Sequence, residues 1–340
     1  MKIPITIIGG GLAGLGLANG LRMAGLPVEV FEAGRYPRHR VCGEFMAGLD
    51  YKTISQLGIK DCFADALLHR NTAWIRNGRT VAEFRLPEPA IGISRYALDV
   101  RMAELLRKRG GILHEEKTVI PKKETEGTLY ACGRPPGKAG WFGMKGHWSD
   151  VETSADLELH LGKGAYLGLS RVEEGYVNVC GLFKQVAVGE FPSPLERFHA
   201  TLKNHRLGYL IDRLPANSLR PGSLRSVSGL AYGFRSATKT LSIGDHRQLI
   251  PPFTGNGMTL ALESAETILP HAIRFGQGRS TWADFKRDSQ AALLHRFKIR
   301  NASATLLHPF ILNPTLQLFL SLTTRLNLLP FRRLYHLTHA

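Results

Sequence analysis

The amino-acid sequence predicts an α/β fold: a parallel sheet, an inserted and mainly antiparallel sheet, and helices at the C-terminal end. Three observations carry this expectation. A strand-like run, a glycine-spaced turn, a helical pattern and a second strand-like run succeed one another before residue 35. Segments of strand-like alternation occupy the middle of the chain. Leucine-rich segments with almost no acids close it.

Composition sets the outer limits. The 340 residues suffice for two domains or one large one. With 44% hydrophobic and 21% charged residues the chain is an ordinary core-former, which excludes a disordered or low-complexity protein. Lys plus Arg is 44 and Asp plus Glu is 28, a net charge of +16. Such charge alone speaks to nonspecific association. No nucleic-acid-binding module or basic–aromatic interleaving accompanies it, so a nucleic-acid partner is not expected. Cys42, Cys62, Cys132 and Cys180 form no C-x-x-C pair, which argues against a zinc ribbon or a dithiol redox motif, and no metal site is expected. Scattered thiols suit a reducing compartment, and a cytoplasmic location is the expectation. No window reaches the ~18 uninterrupted apolar residues of a spanning helix.

The elements follow in order. Ile3-Pro-Ile-Thr-Ile-Ile8 reads as a strand buried on both faces. A signal peptide is not expected here, because Gly9, Gly10 and Gly11 interrupt the apolar run and no small-residue cleavage site follows. Gly9-Gly-Gly11-Leu-Ala-Gly14 is G-x-G-x-x-G, and a helical pattern runs over 15–24 with Gly25 as its C-terminal stop. Residues 28–32 form the second strand and end on Glu32. The spacing has a chemical reason. Gly9 permits the tight turn, Gly11 lets backbone approach a pyrophosphate, and Gly14 lets the helix pack on the strand. The phosphates would sit on the helix N-terminus, and Glu32 would accept from a ribose hydroxyl.

Further motifs lie downstream. Arg35-Tyr-Pro-Arg-His-Arg-Val-Cys-Gly-Glu44 follows the second strand, and Ile91-Gly-Ile-Ser-Arg-Tyr-Ala-Leu-Asp99 opens a helix that runs to about Arg109. Leu129-Tyr-Ala-Cys-Gly133 ends another strand. Thr240-Leu-Ser-Ile-Gly-Asp245 precedes Pro251-Pro-Phe-Thr-Gly-Asn-Gly-Met258 and a helical stretch over 259–269.

Together these residues resemble the glutathione-reductase-type FAD enzymes, and within them the geranylgeranyl reductase and aromatic-ring monooxygenase branch. The resemblance covers about residues 1–270. It implies a Rossmann-like FAD-binding domain with an inserted antiparallel substrate domain. The implied cofactor residues are Gly9, Gly11, Gly14, Glu32, Arg40, Arg95, Gly244 and Asp245, with Pro252, Gly255, Asn256, Gly257 and Met258 in the loop that faces the flavin. Asp99 would lie in the first turn of its helix. Cys132 stands where the family writes Asp. Arg40-Val-Cys-Gly resembles the basic-x-Cys-Gly segment of the reductases, and Glu44 stands where they commonly carry a second glycine. Cys42 and Glu44 are therefore the candidate catalytic residues, Cys42 as a proton donor or a packing group. Glu44 is a candidate acid/base or the partner of an arginine.

The expected organisation is an FAD-binding domain from 1–70, 92–135 and 235–275, a substrate sheet from 71–91 and 136–234, and a helical basic region at 276–340. A crossover is expected at 135–138, and a helix after Pro194 containing Leu195, Phe198 and Leu202. Trp148, His147 and Tyr166 are candidates for the cavity wall or the core. From Arg274 onward there are ten Lys/Arg and two acids, and none after Asp288. Such a region either covers the substrate domain or meets an anionic membrane as a peripheral contact. The expected activity is hydride transfer from reduced flavin to a double bond of a prenyl, polyene or lipid-like substrate. Alternatives are hydroxylation of an aromatic or polyketide ring, and an FAD-binding protein without net redox chemistry. No second nucleotide motif exists, so NAD(P)H, ferredoxin or another electron-donor protein would act from outside.

Overall fold

A parallel sheet begins the chain because its first strands carry Ile and Val on both faces. In the computed structural model, which describes residues 2–120, 125–134, 140–186, 191–230, 233–234, 240–326 and 328–339, β1 (Ile5–Ile8) leads into α1 (Leu12–Met23) and β2 (Val28–Phe31). Ile5, Ile7 and Val30 are wholly buried. Next come β3 (Phe45–Met46), α2 (Tyr51–Gln56), β4 (Leu67–Arg76), β5 (Arg79–Gly92) and α3 (Arg95–Lys108), then β6 (Ile112–His114) and β7 (Thr128–Tyr130). The first sheet has the order β6-β2-β1-β7, all parallel. Residues 241–243 extend it beyond β7, with Tyr130 N–H donating to Leu241 O and Ile243 N–H to Tyr130 O, both at 2.9 Å.

The second sheet takes β8 (Trp141–Trp148), β9 (Leu157–Gly162), β10 (Ala165–Arg171), β11 (Val177–Lys184) and, after α4 (Pro194–Asn204), β12 (Arg225–Ser228). Its order is β12-β8-β11-β10-β9-β4-β5-β3, antiparallel except where β4 meets β9. β10 and β11 pair antiparallel along the whole length of β10. One face is a hydrophobic layer in which Phe198 and Leu202 of α4 are fully buried and Trp148 stacks on Phe198 at 5.5 Å. Trp148 is thus a core residue. Register places Lys145 beside Cys180 and Gly168, and His147 beside Asn178 and Ser170, on the opposite face.

The short pair β13 (Gly233–Phe234) and β14 (Gln248–Leu249) precedes α5 (Asn256–Gly276), α6 (Trp282–Leu312), α7 (Pro314–Arg325) and α8 (Phe331–His339). α1 lies against α5, where Gly16 and Gly20 admit Leu262 and Leu269 into close contact. The C-terminal helices pack on the second sheet, α6 on β9 and β10, α7 and α8 on β5. They cover that sheet, as one of the two expectations held. Among the described residues no helix is long and apolar enough to cross a membrane.

Two expectations need correction. The first helix starts at Leu12, directly after the glycine turn, rather than at 15. α3 begins at Arg95 after the N-cap Ser94, so Asp99 lies beyond the first turn, fully buried against Arg95 rather than serving the helix dipole. The crossover at 135–138 lies outside the described residues.

Candidate active site

The glycine turn is built by exclusion. A Cβ on Gly9 would sit 2.3 Å from Ala131 O, and its φ of +113° is one that side chains avoid. A Cβ on Gly14 would sit 1.9 Å from Gly9 O, so only glycine lets α1 approach β1. Gly11 differs: its nearest neighbour would be Arg95 Nη2 at 3.9 Å. It faces open cavity, and it is the N-cap of α1 with no side-chain cap and no acid in the first turn. The first N–H groups of α1 are therefore available to an anion.

Glu32 directly follows β2 at the cavity wall, 4% exposed. Its Oε2 accepts from Gly10 N–H at 2.8 Å and lies 3.4 Å from Arg40 Nη2. Its Oε1 accepts from Gly34 N–H at 2.9 Å and from Arg38. Burial would raise its pKa, but Arg40, Arg38 and the two amides outweigh burial and hold it below the usual carboxylate range. These contacts take up the carboxylate's acceptor sites. A ribose hydroxyl would reach Glu32 by displacing a guanidinium.

Arg95 lines the cavity beside Gly11 and is clamped by two 2.7 Å hydrogen bonds to Asp99. Arg40 Nε approaches the same carboxylate at 3.2 Å and also lines the cavity. Gly244, with φ +60°, packs against Ala13 and turns Asp245 to the cavity. Burial pushes the Asp245 carboxyl up to about 6, although Arg95, Arg134 and Arg40 pull the other way.

A second uncapped helix end faces the same space. Gly255, at φ +71°, caps α5 without a side-chain hydrogen bond, and no acid lies in the first turn. Phe45 packs where its Cβ would be, at 2.1 Å, and Gly257 meets nothing within 4 Å. Pro252, Gly255, Gly257 and Met258 line the cavity. Asn256 does not; it is fully buried and its amide donates to Thr338 O of α8.

The two candidate catalytic residues separate. Cys42 lines the cavity, and burial keeps its thiol above the usual range. Glu44 turns away from it, wholly buried. Its Oε1 is 3.0 Å from Lys145 Nζ and accepts from Arg95 N–H at 3.1 Å, and its Oε2 meets His147 Nε2. The expected arginine partner is thus a lysine and a histidine. Burial works to raise Glu44, yet Lys145 and His147 hold it low. The 42–43 backbone is tied to the second sheet by Asn178 Nδ2, at 3.0 and 2.8 Å from the two carbonyls, and by Ser170 Oγ at 2.7 Å from Gly43 O.

The sequence reading missed His39 and Lys145. Lys145 is fully buried and 3.3 Å from His39 Nδ1, and His39 stacks on Tyr96 and lines the cavity. Burial and Lys145 push His39 down to about 3, so its ring is neutral. The signal was there: Lys145 and His147 alternate with Met144 and Trp148 along β8, a polar row on one face of a strand. His147 itself belongs to the Glu44 pair rather than the cavity wall. Tyr166 does line the cavity.

The cavity measures about 1130 Å³. It runs from the glycine turn past Asp245 and Cys42 into an apolar arm walled by Trp74, Leu159, Tyr166, Ile311, Leu320 and Phe331. No family model matches the chain, and no curated protein matches it. Solved flavoproteins share its fold. HpxO from Klebsiella pneumoniae, complexed with FAD and uric acid, superposes over 99% of this chain and 96% of its own, with TM-score 0.75 at 17% identity. The p-nitrophenol 4-monooxygenase PnpA from Pseudomonas putida DLL-E4 gives 0.72 at 14% identity, over 98% of this chain and 99% of its own. A flavoprotein/dehydrogenase from Cytophaga hutchinsonii gives 0.68 at 16% identity, over 89% of this chain and 85% of its own. At these identities the likeness establishes the fold, which is that of FAD-binding flavoproteins.

Proposed function

We propose that the chain is an FAD-dependent oxidoreductase acting on an apolar substrate. One observation carries this: a single cavity joins two uncapped helix N-termini to an apolar arm. The donor set fits FAD. The open face of Gly11 and the first turn of α1 suit the pyrophosphate, with Arg95 adding a fixed cation. Asp245, lining the cavity with no hydrogen-bond partner among the described residues, suits the hydroxyls of the ribityl chain. The N-terminus of α5 suits the anionic end of the reduced ring. Bound FAD would supply the two-electron redox chemistry.

The chain's own residues then divide the work. Glu44, Lys145, Asn178 and Ser170 fix the 39–44 loop against the second sheet. Neutral His39 and the protonated Cys42 thiol present the polar edge of the cavity, His39 held by the Lys145 ammonium behind it. Trp74, Leu159, Leu320 and Phe331 exclude water and orient an apolar substrate.

Hydroxylation is the reaction we favour, because the p-nitrophenol 4-monooxygenase that shares this fold covers 98% of the chain. A second reading, saturation of a carbon–carbon double bond as in geranylgeranyl reductases, is supported by Cys42 on the cavity wall in its Arg-x-Cys-Gly segment. The test is mass spectrometry of products from the holoprotein, aerobic and anaerobic, with prenyl and aromatic substrates and with NAD(P)H or reduced ferredoxin as donor. Gain of one oxygen atom supports hydroxylation; gain of two hydrogens without oxygen supports reduction. Protein that purifies colourless and takes up no FAD would overturn the proposal.

A further inference from the structure

We propose that α7 and residues 328–330 dock on an anionic lipid bilayer, and that the apolar arm of the cavity opens onto that bilayer. The starting point is a helix with an apolar outer face. α7 buries Gln317 alongside Leu320 and exposes Leu318 and Leu322. Gln317 is 2% exposed, and its amide donates to Gly162 O at 2.9 Å and Ile311 O at 2.7 Å. Those two bonds fix the rotation of the helix. They leave Leu318, Leu322 and Leu326 in a stripe of i, i+4 spacing at 54%, 56% and 57% exposure, beside Phe319 at 58%. A helix facing water alone places its residues the other way round.

The polar groups of α7 are prepared for an apolar neighbour. Ser321 Oγ donates to Gln317 O at 2.7 Å, and Thr324 Oγ1 to Leu320 O at 2.7 Å. Thr323 Oγ1 does the same to Leu320 O at 2.9 Å. These hydroxyls are satisfied by the helix's own carbonyls and need no water.

Charge selects the occupant. Arg325 closes α7 within the leucine stripe, and Arg332 and Arg333 open α8; all three are exposed. No Asp or Glu follows Asp288 in the remaining chain. A second copy docking by twofold symmetry would bring this acid-free face against itself, cation on cation. An anionic bilayer instead offers acyl chains to the leucines and phosphates to the guanidiniums. Continuity with the cavity gives the face a use: Phe319 and Leu328, exposed by 58% and 67%, also line its wall, so the apolar arm reaches the surface there. The docking face stands without the flavin reading; its role in delivering an apolar substrate rests on it.

The test is co-sedimentation of the FAD-loaded full chain with phosphatidylcholine vesicles, with and without phosphatidylglycerol. We expect binding that requires phosphatidylglycerol and weakens as salt rises. Leu318→Ser/Leu322→Ser/Leu326→Ser should lower partitioning at least tenfold. Arg325→Ser/Arg332→Ser/Arg333→Ser should lower it by about 100-fold. Both variants should keep the thermal midpoint and flavin absorbance of the parent, because none of these side chains lines the cavity. Wild-type protein left in the supernatant, or triple variants that bind like the parent, would overturn the proposal. So would a parent dimer in ultracentrifugation that the leucine variant makes monomeric, which would give the face to a second copy. Vesicle binding by protein that refuses FAD would sink the proposed function and leave the docking face standing. A yellow, active protein that ignores vesicles would do the reverse.

Discussion

Glu44 occupies a backbone with φ of +56°, a conformation that costs a non-glycine residue roughly 1–2 kcal/mol. The strain persists because the carboxylate holds Lys145, which is wholly buried. Glu44→Gly therefore relieves the backbone but strands a buried ammonium, a loss of about 3–5 kcal/mol. We expect urea unfolding to show a net loss of about 2–3 kcal/mol, and Glu44→Gly/Lys145→Met to recover most of it. Additive losses in that cycle would show that the pair is not coupled. Glu158 gives a pH window. Burial works to raise its pKa, but His160, the Ser154 amide and Arg213 outweigh burial and bring it down to about 2. A depressed carboxylate stabilises the fold above its ordinary value of 4.5 and loses that contribution as pH falls toward 2. The contribution is about 3 kcal/mol. Across that window the slope of the urea midpoint against pH should flatten in Glu158→Gln. At this scale the sequence told position better than partner. Glu44 stands where a glycine is common, and its φ shows why, but nothing local says that the lysine answering it lies on β8.

Helix α8 is where local pattern and tertiary role part. Its leucine-rich, basic sequence reads as any amphipathic helix. In the fold it braces the loop before α5: His339 Nε2 lies 2.9 Å from Thr254 O, and Thr338 O accepts from Asn256. Arg300 reaches His339 O at 2.6 Å. Asn256 was read as a cofactor residue from its motif, and its side chain instead anchors α8. Deleting residues 331–340 should weaken FAD binding at least tenfold, measured by fluorescence titration, because the Gly255–Gly257 backbone loses its support. Unchanged affinity would mean that the loop stands alone. The brace is also acid-sensitive. Burial, with Arg300 and His336 nearby, pushes His339 down from 6.5 to about 4. A depressed histidine gives stability that is full above 6.5 and lost as pH falls through 4. FAD affinity should fall over that window, and less so in His339→Asn. By contrast the succession β1, α1, β2 was legible apart from the start of α1, because strand, glycines, helix and strand are consecutive and their contacts local. The second sheet was legible only as strands. Its pairing of β4 with β9 joins residues far apart in sequence, and no alternation pattern encodes which strand is the neighbour.

At the scale of the molecule, the cavity is the joint between its layers. Ala131 and Gly9 bring the parallel sheet to it, Gly143, Leu169 and Cys180 the antiparallel sheet, and Phe310 and Leu320 the C-terminal helices. A ligand that fills it touches all three. FAD bound there should stabilise the whole chain rather than one sheet. At a hundredfold excess over its dissociation constant the linkage gain is about 2.7 kcal/mol. For a chain of this size that raises the thermal midpoint by about 4 °C. Scanning calorimetry of apoprotein and FAD-loaded protein should show one transition moving upward as a unit. If the apoprotein melts in two steps and FAD moves only the one that holds β1 and α1, the antiparallel sheet takes no part in holding the cofactor. The cavity would then be two adjoining sites rather than one. Gly14→Val separates these outcomes further: its side chain cannot fit beside Gly9 O, so it should abolish FAD uptake and with it the shift, while Glu158→Gln, on the second sheet, should lower the midpoint and leave the shift intact.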